Sequence, residues 1–250
     1  MNASEPILVI GGTRGTGLLI AQLLHRHGHG IRVLARDRER APPLFDRTVQ
    51  VVGGDLTQPK TLRPAIDRAR HIIFTAGCRS GYPVREPRVK AVEFEGVVNT
   101  LAAAQQFGFA GRFLYMNSIG LTTPSMFATF LNLWKGNTLI WRRRVEDEIR
   151  ASSLEYTIIR TGVLLNRPGG QHLVNVTQQP LPFSPRYRIA RADVAQVFLV
   201  ALEHPNAKRA TFEIIRGRRG EPQHWGGLLD RLQPDKAPSV GGIPASDSHA

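Results

Sequence analysis

Residues 11–17 set the tightest limit on the fold. Gly11-Gly12-Thr13-Arg14-Gly15-Thr16-Gly17 lies between a short apolar run, Ile7–Ile10, and an amphipathic stretch, Leu18–Leu24. That order reads as strand, turn, helix. Gly11, Gly15 and Gly17 have the spacing G-x-x-x-G-x-G, and each glycine has a physical task. One makes the tight exit from the strand. The next lets the backbone approach a pyrophosphate with no Cβ in the way. The last lets the helix pack closely on the sheet. The free N–H groups and positive dipole end of the helix then meet the phosphates.

The rest of the chain repeats the alternation. Further strands are expected at Ile31–Ala35, Thr48–Val52, His71–Thr75, Phe113–Asn117, Tyr156–Arg160 and Thr211–Ile215. Helices are expected from Thr57 to about Ala69, at Arg88–Phe107, Thr138–Ala151 and Ala192–Leu202, with a short one at Trp225–Leu232. Most strands are apolar on both faces, which predicts an α/β fold with a doubly wound parallel sheet covered by helices on both sides. Segments 119–137 and 166–190 lack clean periodicity. In such a fold they belong over the carboxyl ends of the strands, where ligands bind. Residues 1–232 are therefore read as one domain with a small substrate-side lobe, and 233–250 as a flexible tail.

Composition narrows the classes. A 42% hydrophobic content supports a core and excludes wholesale disorder. The single cysteine, Cys78, excludes a disulfide scaffold and a Cys-based zinc site. His25, His27 and His29 gather at a helix end without clustered carboxylates, so no metal is expected. The absence of a long apolar run or a leader pattern reads as a soluble, cytoplasmic protein. The net charge is +13, with most of the excess in residues 1–150. It fits an anionic cofactor, a nucleic-acid surface or a solvated basic face. No aromatic platform or helix-turn-helix pattern supports specific nucleic-acid binding.

Cofactor selectivity is read at the end of the second strand, where a carboxylate would hold the ribose hydroxyls of NAD. Here the sequence is Ala35-Arg36-Asp37-Arg38. Arg36 and Arg14 can bracket a 2′-phosphate with charge-assisted bonds. At about 1.5–3 kcal/mol per bond, the preference for NADP(H) over NAD(H) is roughly tenfold to 150-fold. Asp37 is the rival, one residue out of register. After the third strand, Asp55 can accept from the adenine amino group and Leu56 can cover the ring; alternatively, Asp55 is a helix-start charge. Ala76 and Gly77, after the fourth strand, leave room for ribose or nicotinamide.

With these residues in view, the chain resembles the atypical, NmrA-like branch of the short-chain dehydrogenase/reductase superfamily. The resemblance spans about residues 6–216. It is carried by GGTRGTG at 11–17, VLARD at 33–37, GDL at 54–56, FTAG at 74–77, VEFEGVVNTLAAA at 92–104, FLYMNSIG at 113–120, VEDEIRASSLEYTIIRTG at 145–162 and RADVA at 191–195. It implies a Rossmann-type sheet with NADP(H) across its strand ends, and Arg160, Thr161, Gly162 and Val163 at the nicotinamide end. Asp193 is read as structural, fixing a helix start.

The superfamily's reductases use Tyr-x-x-x-Lys with a Ser after the fifth strand. Ser118 stands in the Ser position, or is a turn residue at a strand end. The Tyr and Lys are missing: Thr138 occupies the Tyr slot and Arg142 the Lys slot. Arg142 can still hold a ribose hydroxyl and supply a positive field, whereas Thr138 is a poor acid. A reductase of a small carbonyl, enone or quinone then needs another proton donor, with Tyr187, Lys135 or a bound water as candidates. The alternative is a non-catalytic NAD(P)-binding sensor or assembly protein, a role that also occurs in this branch. The apolar stretch Phe127–Trp134 lids the substrate site, or is an oligomer contact or core. The substrate and the choice between monomer and homodimer are not encoded in these motifs.

Overall fold

Ile7–Ile10 (β1) is buried on both faces, and its alternation divides the molecule into two layers. Ile7 and Val9 pack with Ile20, Leu23 and Leu24 of α1 (Gly15–Arg26) and Val194, Val197 and Phe198 of α7 (Arg191–Ala201). Leu8 and Ile10 pack on the other side with α2 (Arg63–Ile66), α4 (Gly96–Gln106) and α6 (Thr138–Ala151). The remaining strands are β2 (Ile31–Ala35), β3 (Gln50–Gly53), β4 (His71–Phe74), β5 (Arg112–Ser118), β6 (Glu155–Thr161), β7 (Val163–Leu165), β8 (Val174–Thr177), β9 (Arg188–Ala190) and β10 (Ala210–Arg216). The computed structural model describes residues 5–38, 45–78, 85–220 and 223–236.

Eight strands form one sheet in the order β3-β2-β1-β4-β5-β6-β10-β8. All neighbours are parallel except β10 and β8. The order reverses between β1 and β4, so a crevice opens there at the carboxyl ends of the strands. This is the expected Rossmann-type, doubly wound α/β fold.

Several expectations needed correction. The helix from Thr57 to Ala69 is only a 3-10 turn, Pro59–Thr61, and the single turn α2. Proline sits in the first turn of each, and Arg68 ends the segment at φ +52°. The helix expected at Arg88–Phe107 begins earlier, as α3 (Glu86–Val89), and passes through a π-helical stretch, Lys90–Glu95, before α4. The irregular segments hold α5 (Met126–Trp134) and the strands β8 and β9; β9 and β7 form a separate two-stranded sheet. Trp225–Leu232 is a run of turns, anchored by the buried Leu229 and Leu232. The expected tail is tied down at its first residues. Asp235 accepts from Thr211 N (2.9 Å) and Tyr156 Oη (3.0 Å), and Gln233 N donates to Gln178 Oε1 (2.9 Å). Tail residues 237–250 lie outside the described residues.

Candidate functional site

The glycine turn is built as its spacing requires. Gly11 has φ +85°, and a Cβ there would stand 2.7 Å from Ala76 N. A Cβ on Gly17 would stand 2.3 Å from Gly11 O and 2.4 Å from Thr75 Oγ1. Only glycine allows α1 to start this close to β4. Thr75 Oγ1 donates to Ile10 O (3.0 Å), which closes the base of the turn. No side chain caps the amides of α1 and no acid lies in its first turn, so this helix end is suited to an anion.

Three arginines approach this junction. Arg14 Nη2 donates to Gly77 O (3.2 Å), linking the turn to the end of β4. Arg36 is exposed directly after β2, as is Asp37. Arg191, which sequence reasoning passed over, begins α7. Its Nη1 donates to Thr16 Oγ1 and its Nε to Asn166 Oδ1, both at 2.8 Å. Nη1 also lies 3.6 Å from where a Cβ of Gly15 would be. Burial pushes its pKa down, with no opposing carboxylate. A cation at a helix N-terminus opposes the dipole, and that mismatch was the signal in the RADVA motif that could have found it. Asp193, from the same motif, accepts from Gly170 N (2.7 Å) and so pins a neighbouring loop rather than capping its own helix.

On the far side of the turn, Asp55 Oδ1 accepts from both Thr57 N and Thr57 Oγ1 at 2.9 Å, the helix-start arrangement weighed above. Leu56 is half-buried, and its Cβ would lie 3.0 Å from one on Gly96.

Ala76 and Gly77 cross above a buried charge cluster. Arg142 Nε donates to Glu93 Oε2 (2.8 Å), Thr138 Oγ1 donates to the same oxygen (2.6 Å), and Cys78 N donates to Glu93 Oε1 (2.9 Å). A Cβ on Gly77 would stand 3.1 Å from Arg142 Nη2 and 3.3 Å from Glu93 Oε1. Burial opposes the charge on Glu93, but Arg142 and the bonds from Thr138 and Cys78 outweigh it and hold the carboxyl below its usual range. Burial likewise opposes the charge on Arg142, and Glu93 more than compensates. The two residues in the Tyr and Lys slots are thus brought together by a carboxylate on the π-helical stretch, a form often found at functional sites. Sequence reasoning missed Glu93, because an i→i+5 turn leaves no periodic trace. Nearby Tyr115 is fully buried, and burial raises its phenol above the usual range, so it is not placed to serve a substrate.

Ser118 and Thr161 are register partners across β5 and β6. Ser118 Oγ donates to Ile119 O (3.1 Å), and Thr161 Oγ1 donates to Asn117 O (3.2 Å). Gly162 N donates to Ile214 O (3.0 Å) and Val163 N to Tyr187 O (2.7 Å), and a Cβ on Gly162 would meet Tyr187 O at 2.7 Å. Tyr187 therefore reaches this region through its backbone. Its hydroxyl accepts from Arg186 Nη2 (2.7 Å), whose guanidinium stacks on the ring. Among the described residues, no hydrogen bond joins Tyr187 to Ser118 or Arg142. An open groove of about 950 Å³ runs along β8, lined by Asn175, Gln178 and His224 among others. It shares no residue with the glycine turn and belongs to a different part of the surface.

A family model described as NAD(P)H-binding matches residues 11–205. A chloroplastic protein of Arabidopsis thaliana is 30% identical over 85% of this chain and 77% of its own length. Sanguinarine reductase of Eschscholzia californica is 29% identical over 64% of this chain and 70% of its own. The photosystem II assembly factor Ycf39 of Synechocystis is 22% identical over 85% and 63%. Among solved structures, a putative NAD-dependent epimerase/dehydratase of Bacillus halodurans superposes with TM-score 0.77 at 24% identity, covering 91% of this chain and all of that one. A short-chain dehydrogenase/reductase of Veillonella parvula, solved with NADP, gives 0.67 at 19% identity over 86% and 96%.

Proposed function

The chain belongs to the NAD(P)H-binding family, and from that premise we propose that it is an NADP(H)-dependent reductase of a small carbonyl, enone or quinone compound. The cofactor, when bound, supplies the hydride. The observation that carries the NADP(H) reading is the set of arginines at the glycine turn: Arg14, Arg36 and Arg191. Gly11, Thr13, Gly15, Thr16 and Gly17 would hold the diphosphate, with Arg191 against it, while Arg36 takes the 2′-phosphate; Arg14, which bonds Gly77 O at the end of β4, joins it there only by swinging across to the β2 side. Asp55 and Leu56 flank the adenine. Ala76, Gly77, Thr161, Gly162 and Val163 line the nicotinamide end, and Arg142, fixed by Glu93, holds its ribose. Gly77 supports this fit, since a Cβ there would press on Arg142 Nη2 at 3.1 Å and narrow the space between them.

Ser118 orients the substrate oxygen. The proton comes from Tyr187 if its side chain turns from Arg186 toward Ser118, since its hydroxyl accepts from Arg186 and keeps its own O–H to donate, or else from a bound water. Fluorescence titration tests the cofactor reading. NADPH is expected to bind at least about tenfold more tightly than NADH, and Arg36→Asp should narrow the gap; equal affinities end the reading. Turnover of a quinone, enone and ketone panel with NADPH tests the reaction, and an unchanged rate in Tyr187→Phe removes that donor.

A second reading is a cofactor-dependent assembly or sensor protein. It is favoured by Thr138, which puts a poor acid in the Tyr slot, and by the likeness to an assembly factor. Tight NADPH binding with no turnover across the panel would select it.

A further inference from the structure

The helix α5 is apolar on both sides. Its inner side, with Ala128 and Leu131, packs with Leu121, Leu139 and Phe183. Its outer side carries Met126 (86% exposed), Phe127 (51%), Phe130 (58%), Leu133 (80%) and Trp134 (46%), and Ile140 at the start of α6 adds to the patch at 45%. Scattered exposed apolar residues are ordinary, but a contiguous cluster marks an interaction surface. The patch has a rim rich in cations, with one exposed carboxylate, Glu95, paired to Lys90 (3.2 Å). Residues 96–145 contain no Asp or Glu. Arg143 and Arg144 are exposed one turn beyond Ile140, and Arg144 and Lys90 lie over Trp141 at 4.7 and 5.5 Å. Glu86 turns inward onto Asn137 Nδ2 and Trp141 Nε1, and the first exposed carboxylates on α6, Asp147 and Glu148, come a turn later.

We propose that the outer face of α5, together with Ile140, Arg143 and Arg144, is an interfacial anchor for an anionic lipid surface. A convex helix with Phe, Leu and Trp outward and arginines beside it has the chemistry of a segment that lies in the headgroup boundary. A second copy of the chain fits less well, because a two-fold contact would bring two cation-rich rims, each with Arg143 and Arg144, into one interface. No helix of the described residues is long and apolar enough to cross a membrane, so the contact is in-plane. α5 follows β5 at the carboxyl end of the sheet, the end at which the crevice opens. The inference stands on the patch itself and does not depend on turnover.

The test is flotation of the full chain with vesicles of phosphatidylcholine alone or mixed with phosphatidylglycerol. The chain is expected to float with the phosphatidylglycerol vesicles, with a blue shift in tryptophan emission, and to be released by high salt. Phe127→Ser with Phe130→Ser should abolish flotation while leaving circular dichroism and NADPH binding intact. Arg143→Glu with Arg144→Glu should weaken it about 20-fold or more. The proposal fails if the wild-type chain stays in the aqueous fraction, or if the double serine variant floats equally well. It also fails if gel filtration shows a dimer that the serine variant dissociates while vesicles bind neither form.

Discussion

Arg160, expected at the nicotinamide end but buried instead in an ion cluster, and Arg191, half-buried, both lie near the carboxyl ends of the strands, yet their surroundings are opposite. Arg160, on β6, donates to both oxygens of Glu146 (2.9 and 2.7 Å) and to Glu213 Oε1 (3.1 Å). Glu146 also accepts from Arg150 and from Asn117. Burial penalises the charge on Arg160, but the two carboxylates outweigh it and the group is held firmly protonated. Arg191 has the burial but, among the described residues, no carboxylate partner, and it donates to the neutral oxygens of Thr16 and Asn166. A fully paired buried cation is part of the scaffold. One whose charge meets no carboxylate beside a glycine turn is suited to an anion, and on the proposed function it would face the diphosphate.

The contrast should be sharpest in stability. Arg160→Met leaves Glu146 and Glu213 buried without their main counter-charge, so urea denaturation should show a loss of about 3–5 kcal/mol. Arg191→Met should invert the pattern. Stability should be unchanged or slightly higher, while NADPH affinity falls by roughly tenfold to 150-fold, the equivalent of about 1.5–3 kcal/mol for a charge-assisted bond. If Arg191→Met destabilises the chain as much as Arg160→Met, the distinction between the two regions is lost.

Asp235 extends the paired region into the C-terminal segment by joining Arg150, Tyr156 and Thr211. Asp235→Ala should cost about 1–2 kcal/mol without affecting NADPH binding, whereas a negligible change in melting would return residue 235 to the tail. The smallest effect is expected at His71, at the start of β4. Its Nε2 is buried without a partner among the described residues, and burial, then Arg70 and Arg112, pull its pKa down to about 4. The unfolded chain therefore binds the extra proton between pH 6.5 and 4, and the His71 contribution to stability is lost as pH falls through that window. His71→Leu should flatten the pH dependence of the denaturation midpoint over this range. An unchanged slope would assign the dependence to other groups.

How much of this the sequence disclosed follows from what periodicity can carry. Ile7–Ile10 and Gly11–Gly17 are local and contiguous, so the first βα junction and the sheet built on it were legible. Thr138 and Arg142 were placed together by their i,i+4 spacing, but Glu93, which binds both, arrives from 45 residues away. α5 escaped because Met126, Phe127, Ala128, Phe130, Leu131, Leu133 and Trp134 leave no polar face to set a period. β7 and β9 are three residues each and owe their extended form to each other across 22 residues of intervening chain. Arg191 was hidden by its neighbour: RADVA drew attention to Asp193, and the cation was visible only once α7 lay against α1.

Isothermal calorimetry of the purified chain with NADPH and with NADH at low salt tests the central claim most directly. Saturable heat from NADPH, with NADH bound at least about tenfold more weakly, is the expected result. No heat from either dinucleotide would contradict the account at its root.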